Sequence, residues 1–168
     1  MVTGVIETTL SLGEWAVTND REGVLTCLGL GSCVAFIAYD PVARVGGMAH
    51  MVLPDSTQGR ATTRSEAKFV DVAVPLVMRE IQALGALKAR LQISLVGGAA
   101  MLPVRSGNDA LNIGARNGAA AQAAVKALGL RVKVEDLGGT QGRTVRLQVR
   151  TGEVTISTAR TLRAEAAA

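Results

Sequence analysis

"LGLGSCVAFIAYDPVARVGGMAHMVL", residues 28–53, is the stretch on which the fold turns. It contains two apolar runs, Cys33–Tyr39 and Val45–Val52, separated by Asp40-Pro41. Asp-Pro is turn chemistry: proline presets its own φ, and an aspartate bonds the backbone that follows it. The two runs are therefore expected to pair as an antiparallel hairpin. The same stretch holds the chain's only histidine, His50, and one of its two cysteines, Cys33. If the hairpin forms in simple register, both fall near the same end of it.

Strand-like runs continue on the N-terminal side, in "LGEWAV" near Leu12 and "EGVLTCL" near Val24. On the C-terminal side the period changes. Phe69, Ala73, Leu76, Val77, Ile81 and Leu84 recur at helical spacing from Ser65 onward, closed by Gly85. Pro75 lies inside that pattern and is expected to kink the helix or remove one hydrogen bond. "RLQISLVGG" reads as a buried strand, and "NGAAAQAAVKALG" as a second helix capped by Gly129. "RVKVEDLGG" is a further strand. "RTVRLQVRTGEVTIST" is a hairpin in which Val145, Leu147 and Val149 alternate with Arg146, Gln148 and Arg150. This order predicts an α+β, or mixed α/β, single domain over residues 1–168. Its sheet or sheets are mostly antiparallel, with two main helices packed on them. Residues 158–168 are expected to fray or to form a short helix.

Composition fits one domain. The 168 residues are 48% hydrophobic and only 2% aromatic, so the core is built from small and branched side chains. The net charge is +4, with the basic residues spread out. Two Phe, one Trp and one Tyr leave little to stack on bases, and no nucleic-acid partner is expected. No apolar run approaches 18 residues, so no membrane insertion is expected. The N-terminus lacks a basic segment followed by a long apolar one, and a cytoplasmic, reducing compartment is the expectation.

Several chemistries fail on spacing. Gly29-Leu30-Gly31 leads into a β-rich run rather than a helix, and Gly-Lys-Ser/Thr is missing, so no nucleotide cofactor is expected. Two Cys and one His do not complete a zinc site, and no metal is expected. No Gly-x-Ser-x-Gly elbow is present. Cys33 and His50 remain. Taken singly, a cysteine in a strand is a small hydrophobe and a buried histidine is a satisfied core residue. Three features point instead to a thiol and its base. Gly29, Gly31 and Ser32 place Cys33 just after a tight bend, with backbone N–H groups at hand for an oxyanion. Gly46-Gly47 allow close approach of another chain or a substrate. The hairpin brings the imidazole toward the thiol, where an imidazolium would favour the thiolate.

"LGLGSCVA" followed by D-P-x-x-x-V-G-G-M-A-H-M-V-L-P-D-S resembles the CheD family of chemotaxis proteins, the chemoreceptor glutamine deamidases. "LGEWAV", "KFVDVAV", "GGAAM" (Gly97–Met101), "NIGARN" (Asn112–Asn117) and "EDLGGTQGRTV" (Glu135–Val145) extend the likeness from about Leu12 to Val154. The resemblance implies that Cys33 is the nucleophile and His50 the base. Together they convert receptor glutamine to glutamate with loss of ammonia, and Gly31, Ser32 and Gly47 form the substrate and oxyanion neighbourhood. A methyl ester would yield to the same apparatus. The family's third residue, a threonine six positions before the cysteine that orients the histidine, corresponds here to Cys27, with Thr26 beside it. The implied partners are chemoreceptor cytoplasmic domains and a CheC-type phosphatase, which leaves open a regulatory binding role without catalysis. Asn112 and Asn117 read as caps of the second helix, and Gly97-Gly98 as a turn.

Overall fold

The computed structural model describes residues 4–59, 65–102 and 112–158. Nine strands form two sheets: β1 (Ile6–Thr9), β2 (Trp15–Thr18), β3 (Gly23–Leu30), β4 (Val34–Asp40), β5 (Val45–Met51), β6 (Gln92–Gly97), β7 (Val132–Leu137), β8 (Arg143–Gln148) and β9 (Glu153–Thr158). One sheet has the order β1-β3-β8-β9, the other β2-β5-β4-β6-β7. Two α-helices, α1 (Val70–Ala83) and α2 (Ile113–Ala127), lie among the described residues. The expected α+β architecture is observed. Pairing is antiparallel except between β1 and β3 and between β6 and β7.

The layers follow from alternation along the central hairpin. β4 and β5 pair from Val34↔Met51 to Asp40↔Val45, as the Asp-Pro turn predicts. Both strands are buried on both faces, which explains their unbroken apolar character. Val34, Phe36, Ala38, Val45, Ala49 and Met51 pack against α1 and α2. Ala35, Ile37, Tyr39 and Met48 pack against Leu25, Cys27, Val145 and Leu147 of the other sheet. The molecule is thus a sandwich of two sheets with both helices on the outer face of one. Each fully buried Phe or Leu, such as Phe36 or Leu147, contributes about 1.5–3 kcal/mol.

Asp40 closes the hairpin. Its buried carboxylate accepts from the Val42, Ala43 and Leu87 N–H groups and pairs with Arg90 at 2.8 Å. Burial alone would push its pKa up, but Arg90 and the three N–H donors outweigh that and hold the carboxyl at about 2. α1 runs through Pro75, which stands on its exposed side. Two elements differ from expectation. β1 was not foreseen, because its four residues are all exposed and carry no core pattern. α2 begins at Ile113, four residues before the expected start at Asn117. The expected fraying or helix at 158–168 falls, after Thr158, outside the described residues.

Candidate active site

Cys33 follows the bend that ends β3. A register shift between Cys27 and Leu30, with Gly29 at φ 57°, turns the chain there. Three successive carbonyls of the bend are then tied to the body. The Gly31 carbonyl accepts from the Ala99 N–H at 2.8 Å, and the Cys33 carbonyl from the Gly98 N–H at 2.8 Å. Between them, the Ser32 carbonyl accepts from Asn117 Nδ2 at 2.9 Å. In a trans peptide the N–H points away from the carbonyl. The Ser32 and Cys33 N–H groups accordingly carry no hydrogen bond among the described residues. The Cys33 side chain is half-buried and packs at the margin of the inter-sheet core.

The 97–99 segment that receives this bend leaves no room for side chains. A Cβ on Gly97, whose φ is 123°, would stand 2.2 Å from the Cys33 carbonyl oxygen. One on Gly114 would stand 2.4 Å from the Ala99 carbonyl, so α2 also needs a glycine to close on the loop. The expected Gly97-Gly98 turn is thereby a socket for the Cys33 bend. Arg143 braces it, reaching the Gly97 carbonyl at 3.4 Å while pairing with Asp136 at 3.0 Å.

His50 shares the inter-sheet face of β5 with Met48. Ala35 lies directly opposite His50, and Cys33 is two residues before Ala35 on the same face. The thiol and the imidazole are therefore diagonal neighbours on one face of the hairpin. The segment between β1 and β2 grips His50 at every other point. Its N–H donates to the Glu14 carbonyl, and its carbonyl accepts from the Gly13 N–H, both at 2.9 Å. Its Nδ1 lies 3.0 Å from the Leu10 carbonyl. A carbonyl only accepts, so Nδ1 carries the proton and Nε2 presents a lone pair.

Electrostatics differ from the expected ion pair. Burial pushes the Cys33 thiol up and the His50 imidazole down, the latter opposed by the Leu10 carbonyl and the Glu14 carboxylate. Both shifts favour the neutral thiol and the neutral imidazole over thiolate and imidazolium, because a half-dry site penalises both charges.

Cys27 and Gly47 stand apart from the hydrogen bonds that hold His50. Cys27 makes no hydrogen bond to His50 among the described residues. It is fully buried, its sulfur lies 3.5 Å from Met48 Sδ, and burial, with the neighbouring Cys33, pushes its thiol up to about 12. Thr26 faces the opposite side of its sheet and donates to Glu7 at 2.7 Å. The Leu10 carbonyl, not a side chain at 27, is the hydrogen-bond partner of the His50 ring among the described residues. Gly47 does not border the thiol. A Cβ there would meet Val77 of α1 at 2.8 Å, while Gly46 faces Leu147 at 2.8 Å. The glycine pair lets α1 and the second sheet close on β5 from both sides. Gly31 and Ser32 immediately precede Cys33 in the bend, their carbonyls bonded to the Ala99 N–H and to Asn117 Nδ2.

Sequence reasoning missed Leu10, whose contribution is a main-chain oxygen. It also misread Asn117. Asn112 caps α2, accepting from the Ala115 N–H at 3.0 Å, but Asn117 lies within the helix and is fully buried. Among the described residues no cluster of three His, Cys, Asp or Glu side chains could hold a metal, and no helix is long and apolar enough to cross a membrane.

Residues 52–158 match the family model described as CheD chemotactic sensory transduction. The chain is 44% identical over 149 residues, 89% of it and 90% of its relative, to a probable chemoreceptor glutamine deamidase CheD of Symbiobacterium thermophilum. It is 40% identical over 147 residues, 88% of both chains, to the chemoreceptor glutamine deamidase CheD of Thermotoga maritima. Among solved structures it is distantly similar to YlmD from Geobacillus stearothermophilus, with 15% identity and a TM-score of 0.44 over 82% of this chain and 61% of that one. Matched by the family model over residues 52–158 and 40–44% identical to these two relatives over nearly nine-tenths of its length, the chain belongs to the CheD family.

Proposed function

We propose that this protein hydrolyses glutamine side-chain amides of chemoreceptor cytoplasmic domains, in the cytoplasm, with Cys33 as nucleophile and His50 as base. One observation carries the reading. Three consecutive carbonyls around Cys33 are tied back, which turns backbone N–H groups outward beside a thiol whose neighbouring imidazole is held in one tautomer.

An amide is a weak electrophile and needs a thiolate at the moment of attack. His50 Nε2 takes the Cys33 proton as sulfur bonds to the amide carbon. The proton is transferred during attack, so the neutral resting pair is the competent one. The carbonyl oxygen becomes an oxyanion facing the Cys33 and Ser32 N–H groups, each such donor being worth about 3 kcal/mol of barrier. The imidazolium returns its proton to the departing nitrogen, which leaves as ammonia. His50 then deprotonates a water that attacks the thioester, releasing glutamate and restoring the thiol. A receptor methyl ester would pass through the same thioester.

The test is the intact mass of a receptor cytoplasmic fragment after incubation. Wild type is expected to produce the mass gain of Gln-to-Glu conversion, and Cys33→Ala none. Equal masses with both proteins would refute the assignment. A regulatory binding module for a CheC-type phosphatase is the competing role. Nothing in such a role calls for the bend's ordered N–H groups, and under it Cys33→Ala would be without consequence for chemotactic adaptation.

A further inference from the structure

Asn117 is a buried side chain of α2 that bonds to both halves of the site. It is fully buried, yet it is an amide in the middle of a helix face that otherwise packs with Ala121 and Val125. One N–H of Nδ2 donates to the Ser32 carbonyl at 2.9 Å, immediately before Cys33, and the other to the Val52 carbonyl at 2.8 Å, two residues after His50. Its Oδ1 is buried with no hydrogen-bond partner among the described residues. Flipping the amide would set that oxygen against two carbonyls that only accept, so the orientation is determined by chemistry. A side chain present merely to fill this space would be apolar. An amide with one orphaned end is explained by what its other end holds.

From this we infer that Asn117 is a positioning residue for the reaction, acting through the Ser32–Cys33 peptide. By drawing the Ser32 carbonyl toward α2, it turns the Cys33 N–H to the opposite side, where the oxyanion develops. Its second bond ties the end of β5 to the same amide, so the nucleophile bend and the strand carrying His50 keep one spacing. Asn117 itself touches no reacting atom. The inference rests on the assignment of Cys33 as nucleophile, but not on glutamine as its target.

The test separates oxyanion stabilisation from simple thiol reactivity. p-Nitrophenyl acetate acylates a thiol through a tetrahedral oxyanion, whereas iodoacetamide alkylates it by displacement without one. Both rates are measured on wild type and on Asn117→Leu, which keeps the volume and removes both donors. Acylation of Cys33 is expected to fall about 10- to 100-fold while alkylation changes less than about threefold. On a receptor fragment the variant loses kcat with KM within about twofold. Asn117→Ala, which leaves space instead of bulk, is expected to show the same split. Equal loss of both rates, or no loss of either, would overturn the inference, as would failure of both variants to unfold cooperatively. A wild type that acylates at Cys33 but deamidates no receptor would sink the proposed substrate and leave this test decisive for Asn117.

Discussion

Gly97→Ala is the substitution whose consequence is most directly computed from the structure. The new methyl carbon would stand 2.2 Å from the Cys33 carbonyl oxygen. An ordinary carbon–oxygen contact is about 3.3 Å, so one of the two backbones must retreat by about 1 Å. A displacement of that size at a nucleophile costs on the order of 10²-fold in rate, or about 2.7 kcal/mol of barrier. The left-handed backbone at Gly97, φ 123°, adds a penalty of about 1–2 kcal/mol to stability. Gly129→Ala is the matched control. Its φ of 63° carries the same kind of backbone penalty, yet a Cβ there meets nothing within 4 Å, and it lies after α2, away from the thiol. The assay is ammonia release from a receptor fragment, alongside urea unfolding of each protein. Both variants are expected to lose stability, and only Gly97→Ala to lose the rate. A Gly97→Ala protein as active as Gly129→Ala would refute the socket.

Other consequences follow from the same geometry. In the native protein iodoacetamide is expected to label Cys33 and not Cys27, whose buried thiol is held at about 12; peptide mapping before and after unfolding checks this. Cys27→Ala is expected to cost about 1 kcal/mol of stability while retaining turnover, because its sulfur packs on Met48 rather than orienting His50. The base is neutral His50, with its pKa below the ordinary 6.5, so the acid limb of kcat/KM is expected below pH 6.5. The unfolded chain binds that proton first, so this histidine's contribution to stability is complete above pH 6.5 and is lost as pH falls toward the folded value. Asp40, at about 2 against an ordinary 3.8, adds about 2 kcal/mol of stability above pH 3.8, which is lost as pH falls through 2; Asp40→Asn should remove that acid-dependent component from unfolding curves.

What was legible in the sequence was what side-chain pattern records. The β4–β5 hairpin and its turn at Asp40-Pro41 follow from apolar runs and turn chemistry. So do α1 and the β8–β9 hairpin. β1 was illegible because an exposed edge strand paired in parallel has no apolar period to read. At the site, Cys33 and His50 stood out by residue type and by family likeness. The Leu10 carbonyl could not, since every residue has one and only the fold decides which meets an imidazole. Cys27 was read through a position whose family role belongs to a hydroxyl, while in this chain the sulfur turns into a dry core. Asn117 reads as a cap because helix starts attract asparagine, but the cap is Asn112, five residues before the expected helix start, and Asn117 is drawn inward by two carbonyls that no local rule anticipates.

Proton transfer from Cys33 depends above all on the tautomer of His50, and the chain has only one histidine, which makes the measurement unambiguous. Nitrogen-15 NMR of the histidine-labelled protein at neutral pH reads the protonation of each ring nitrogen directly. The structure predicts a neutral ring with the proton on Nδ1, held by the Leu10 carbonyl, and a bare Nε2. A proton on Nε2 of a neutral ring, or a resting imidazolium, would contradict it.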